Sequence, residues 1–140
     1  MKLAFVFITL VWVLGCGGHT GPQATPSVPG NPDLILSAQP RQGFSPLRVT
    51  FRVVLEGVAD NSEEWHCLKE EWDFGDGSVS SQKPNCEQFT PDSKITTEFF
   101  SDHVFETPGG YTVGFTLGDK KLRSNKVGVR VLESVRTPGK

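Results

Sequence analysis

Trp72-Asp73-Phe74-Gly75-Asp76-Gly77 sets two large aromatic rings at alternate positions and follows them with a Gly-Asp-Gly step. In a strand, residues i and i+2 share a face, so Trp72 and Phe74 point to the same side. Gly75 and Gly77 permit the left-handed backbone of a tight turn, and an Asp between them can hydrogen-bond its own main chain. The string therefore reads as the end of a core-facing strand and the turn after it. Period-two patterning extends outward in both directions. Leu47, Val49, Phe51 and Val53 alternate with Arg48, Thr50 and Arg52, the pattern of a strand with one wet face. Tyr111, Val113, Phe115 and Leu117 repeat it, as do Val127, Val129 and Val131. Leu34–Ala38, Leu68–Phe74 and Phe99–Phe105 are further strand candidates.

Turn residues separate these runs at Gln42-Gly43, Gly75–Gly77, Pro108–Gly110 and Gly118-Asp119. No segment has a firm helical period; Ser62–Glu71 comes nearest. With 15 Gly, 10 Pro and one Met in 140 residues, the composition suits a turn-rich β protein. The expected class is all-β, a two-sheet β-sandwich of about seven strands. A net charge of −2 supplies no basic field for nucleic acid, so no nucleic-acid partner is expected.

A second cluster stands some thirty residues beyond the first: His103-Val-Phe105-Glu-Thr-Pro-Gly109-Gly-Tyr111-Thr-Val113. Together the two resemble the polycystic kidney disease (PKD) domain family, whose signature is WDFGDG followed by H-x-Y-x-x-x-G-x-Y-x-V. His103, Phe105, Gly109, Tyr111 and Val113 fill the second motif, with Phe at its first Tyr. The resemblance covers residues 34–134 and implies an immunoglobulin-like sandwich, with Trp72 in the core and Tyr111 in a tyrosine corner. It also implies a spacer, or a module that contacts protein or glycan, without catalysis. Two departures stand out. Glu70 occupies a position that is often aromatic in the family, and Ser78–Thr97 is longer than the expected loop.

The N-terminus differs in kind. Met1-Lys2 precedes twelve uncharged residues, Leu3–Leu14, too short to span a bilayer and suited to a signal-peptide core. Val13-Leu14-Gly15-Cys16 resembles the lipobox of bacterial lipoproteins, so residues 1–15 read as a leader and Cys16 as the lipid-bearing first mature residue. Gly17 after that Cys, rather than Asp, favours the outer membrane by the same resemblance. Residues 17–33 hold four Gly and four Pro and read as a tether, and residues 135–140 as a flexible tail. Three cysteines in an exported chain leave one unpaired. With Cys16 lipidated, Cys67 and Cys86 are free to pair, as export permits.

Candidate sites are few. Asp73 and Asp76 are possible Ca²⁺ ligands, but two acids fall short of the roughly six to eight oxygens that ion takes. Hydrogen bonding within the turn is the competing reading. His66, Cys67 and Cys86 make a poor zinc set without C-x₂-C spacing. His103 reads as a packed structural residue. No nucleophile motif, H-E-x-x-H or phosphate loop is present, so neither enzyme activity nor a cofactor is expected. Trp65, Phe89, Phe99 and Phe100 are the loose candidates for a glycan platform. Charge is segregated: Asp60–Asp92 carries nine acids against two bases, and Lys120–Lys140 seven bases against one acid. If strands from the two segments share a sheet, their charges partly offset one another.

The expected function is a cell-surface lipoprotein with an interaction or spacer module. The alternative is an accessory subunit that recruits substrate to an envelope enzyme or transport complex.

Overall fold

The alternating runs all become strands. The computed structural model describes residues 30–119 and 122–134. The leader 1–15, Cys16, most of the 16–33 tether, Lys120, Lys121 and the 135–140 tail lie outside the described residues. In chain order the strands are β1 (Asp33–Gln39), β2 (Gln42–Phe44), β3 (Leu47–Glu56), β4 (Glu70–Asp73) and β5 (Val79–Gln82). They continue with β6 (Glu98–Phe105), β7 (Gly109–Leu117), β8 (Leu122–Arg123) and β9 (Val127–Leu132).

One sheet runs β1-β3-β6 and the other β2-β9-β7-β4-β5, with β8 added along the end of β7. All pairings are antiparallel except β2 with β9. The expected two-sheet sandwich is what forms, with three strands beyond the six clear runs. The Gln42-Gly43 turn signal lies inside β2, and Gly109 and Gly110 open β7 rather than preceding it. The Leu68–Phe74 strand contracts to Glu70–Asp73. Ser62–Glu71 gives one 3₁₀ turn, Glu63–Trp65, which lowers Trp65 onto the core.

Both inner faces are apolar. Leu47, Val49, Phe51, Val53 and Leu55 of β3 point inward, and their outward neighbours are exposed or half-exposed. Phe51 is fully buried, and its ring centroid lies 6.3 Å from Trp72, 5.8 Å from Phe74 and 6.4 Å from Phe105. No described polar or charged residue is fully buried. The edge of β1 is closed by a side chain: Leu36 N–H donates to Asn125 Oδ1 at 2.7 Å, and Asn125 Nδ2 donates to Leu36 O at 3.1 Å. That amide stands in for a neighbouring strand and satisfies an edge that would otherwise be open.

Candidate functional site

Two constructions use the residues singled out by sequence. The first is a clasp between the sheets. Asp73 Oδ1 accepts from Gly75 N–H at 3.0 Å, and Asp76 Oδ1 accepts from Ser78 N–H at 2.9 Å and from the Ser78 hydroxyl. Asp76 Oδ2 meets His103 Nε2, on the opposite sheet, at 2.7 Å. The His103 ring stacks flat on Phe74, with centroids 4.1 Å apart, and meets Phe105 edge-on at 4.7 Å. Phe105 stacks in turn on Tyr111, whose hydroxyl donates to Thr107 O at 2.6 Å. That last bond is a tyrosine corner. Val113 completes the cluster with no exposed surface.

Burial pushes the Asp76 carboxyl up, but hydrogen bonds from Ser78 and His103 outweigh it and bring the pKa down to about 2. Gly75 has φ 74°, and a Cβ there would stand 2.5 Å from Thr112 O, so the turn rests directly on the backbone of β7. Turn and clasp bonds thus occupy three of the four carboxylate oxygens of the Ca²⁺ candidates Asp73 and Asp76. The described residues hold no group of three or more His, Cys, Asp or Glu placed to ligate a metal.

The second construction lies at the other end of β4, where the two departures meet. Glu70 shares the inward face of Trp72 and stands opposite Leu117. A carboxylate there is costly, because burial disfavours its charge. The space beside it is not filled by side chains, and a cavity of about 260 Å³ opens against it. Phe99 and Leu117, one from each sheet, line its inner side. Trp65, His66 and Leu68 form one wall, and Pro84 with the disulfide forms another. Lys94 and Thr96 stand exposed where the cavity meets solvent. Burial raises the Glu70 carboxyl above the usual range, and the nearby Trp72 indole N–H draws it partly back.

The enlarged loop is tied down by a disulfide, by His66 and by the buried Ile95, whose N–H donates to Asp60 O at 2.9 Å. Cys67 and Cys86 are bonded, with Cα atoms 5.9 Å apart, which spends both sulfurs and removes the zinc reading. His66 Nε2 donates to Glu87 O at 3.0 Å, and its ring meets Phe89 edge-on at 5.4 Å. Cys67 carries the one positive φ of a described non-glycine residue, 56°. A left-handed residue with a Cβ costs about 1–2 kcal/mol and persists where its surroundings enforce it.

The other candidates separate. Trp65 and Phe99 are buried, Phe89 is half-buried against His66, and Phe100 is exposed on the outer face of β6. Two of the four are buried, so they do not make one exposed aromatic surface. The two charged segments do share a sheet. Glu71 and Asp73 of β4 line a second cavity, of about 270 Å³, with Arg123 and Lys126, and Thr116 sits in register between Glu71 and Arg123. Convergence at Glu70 was the feature sequence reading missed. Its signal was parity: two residues before a core Trp, the side chain must face inward.

The described residues form a two-sheet β-sandwich. Among solved structures, the chain is similar to the PKD domain of an M14-like peptidase from a Thermoplasmatales archaeon, at 15% identity and a TM-score of 0.46. That match covers 73% of this chain and 96% of the other. It is also similar to the CARDB domain of a Pyrococcus furiosus protein, solved in complex with di-metal ions, at 12% identity and a TM-score of 0.42. Here the coverage is 72% of this chain and 89% of the other. No protein-family profile matches the sequence, and no curated protein does.

Proposed function

We propose that this chain is a lipid-anchored cell-surface protein whose sandwich is an interaction module, with the stapled cavity beside Glu70 as its contact site. The cavity carries the reading. A spacer gains nothing from a half-buried carboxylate, an unfilled space in the core margin or a left-handed cysteine. Each of these costs stability, and all three meet at one place. Local departures from sound packing concentrate where a protein does its work. The anchor rests on Val13-Leu14-Gly15-Cys16 and on the cysteine count, which leaves Cys16 without a partner once Cys67 and Cys86 are joined. The role we propose is recognition without chemistry.

Metabolic labelling with palmitate tests the anchor: the label appears on the wild-type chain and disappears in Cys16→Ala. Label retained by Cys16→Ala would refute lipid attachment there. For the module, the full chain is displayed in its native envelope and chemically crosslinked. Adducts that weaken when the cavity mouth is blocked by Thr96→Trp support the contact site, and adducts indifferent to that change refute it.

A further inference from the structure

The cavity has a definite chemistry beyond its role as a contact site. Its one carboxylate, Glu70, has no salt bridge among the described residues. The other ionisable groups lining it are His66 and Lys94. His66 is turned to Glu87 O, and Lys94 is exposed and makes no ion pair with Glu70. The lining is about evenly polar and apolar, and its apolar part is backed by the nearly buried Trp65, Phe99 and Leu117. At about 260 Å³ the space falls below the roughly 300–1,000 Å³ of sites that enclose a drug-sized ligand. It admits one side chain or one small headgroup.

We propose that the cavity recognises a protonated aliphatic amine or guanidinium group, with Glu70 as its counter-ion and Trp65, Phe99 and Leu117 around its apolar stem. The inference rests on the interaction reading above and names the ligand chemistry of that site. Each part has a physical reason. A partly desolvated carboxylate with no ion pair among the described residues gains most from acquiring a cation, since charge-assisted bonds are stronger away from bulk water. The apolar walls suit the methylene stem of such a ligand, and an aromatic face attracts a cation. The nearby Trp72 N–H favours one orientation of the carboxylate before the ligand arrives. Lys94, outside the ion-pair range of Glu70, disfavours a second cation at the mouth.

The test is binding to the full chain, read from the indole N–H resonances of Trp65 and Trp72. The probes are n-butylammonium, its neutral analogue n-butanol and the anion butyrate. Blocked Gly-Lys-Gly and Gly-Arg-Gly peptides and glucosamine then distinguish a protein side chain from an amino sugar as the source. The expected result is saturable shifts with the cations and none with n-butanol or butyrate. Glu70→Gln should weaken cation binding by about tenfold or more, while Lys94→Ala leaves it unchanged or tighter. If Glu70→Gln fails to fold, the wild type still decides the matter: binding should fade on acidification as Glu70 takes up a proton, at a pH above the ordinary glutamate range. Binding of n-butanol equal to that of n-butylammonium, full affinity in folded Glu70→Gln, or no cation binding would overturn the proposal. Envelope crosslinking that survives Glu70→Gln would leave the interaction module standing and remove only its cation chemistry.

Discussion

Asp76 and Glu70 are carboxylates on one short stretch of chain, and their surroundings move them in opposite directions. Asp76 has a folded pKa of about 2 against an ordinary 3.8, so its contribution to stability is fully present above pH 3.8 and is lost as pH falls toward 2. His103→Ala removes one of its hydrogen bonds and the ring stacked on Phe74. The expected cost is about 1–3 kcal/mol of unfolding free energy from urea denaturation at neutral pH, with a shallower loss of stability in acid. An acid limb as steep as in the wild type would place the low carboxyl elsewhere. Glu70 behaves in the reverse sense. Its folded pKa is raised, so its charge opposes folding at neutral pH, and protonation relieves the opposition as pH falls through the raised value. Glu70→Leu should therefore raise the unfolding free energy by about 1 kcal/mol, while abolishing cation binding. A destabilised Glu70→Leu would mean the carboxylate is structural. The roles of Trp72, Asp76 and Tyr111 were legible in the sequence because each sits in a local motif. The role of Glu70 was not, because it depends on how the far end of the sandwich is closed.

At the scale of elements, the long strands were legible and the short ones were not. β3, β7 and β9 alternate apolar and polar residues for six positions or more, enough for one face to declare itself. β2, β5 and β8 have two to four residues and no period to read; they exist because a neighbouring strand offers them an edge. All four residues of Val79–Gln82 are exposed, so burial could not have marked β5. The long connection after β5 is placed by the staple and by Ile95, which is buried in the core with its N–H on Asp60 O. Closing a ring over a sequence separation of 19 residues is worth about 3 kcal/mol on the chain-entropy account. Replacing Cys67 and Cys86 together by Ser should lower unfolding stability by about that amount. It should also release the Phe89 segment, seen as faster amide exchange across residues 83–97 with little change in β3 or β7. Uniformly faster exchange would show that the staple supports the whole sandwich and not the cavity wall alone.

For the whole molecule, we propose a leader, a lipid-bearing cysteine, a tether and one domain. The described residues provide the last of these, a two-sheet sandwich with a clasp at one end of β4 and a cavity at the other. The fold was legible because its two motifs hold neighbouring sheets together through contacts the residues announce. The contact site was legible only as two separate oddities, Glu70 and a long loop with a cysteine, which meet in three dimensions and not along the chain. The central claim is that this end of the domain, and no other, meets the partner. A photocrosslinking residue placed at Phe89 or Lys94, beside the cavity, or at Arg48, toward the other end of β3, tests it in the native envelope. The expected result is a discrete adduct from Phe89 and Lys94, lost with Glu70→Gln, and none from Arg48. Adducts from Arg48 alone, or equally from all three positions, would contradict it.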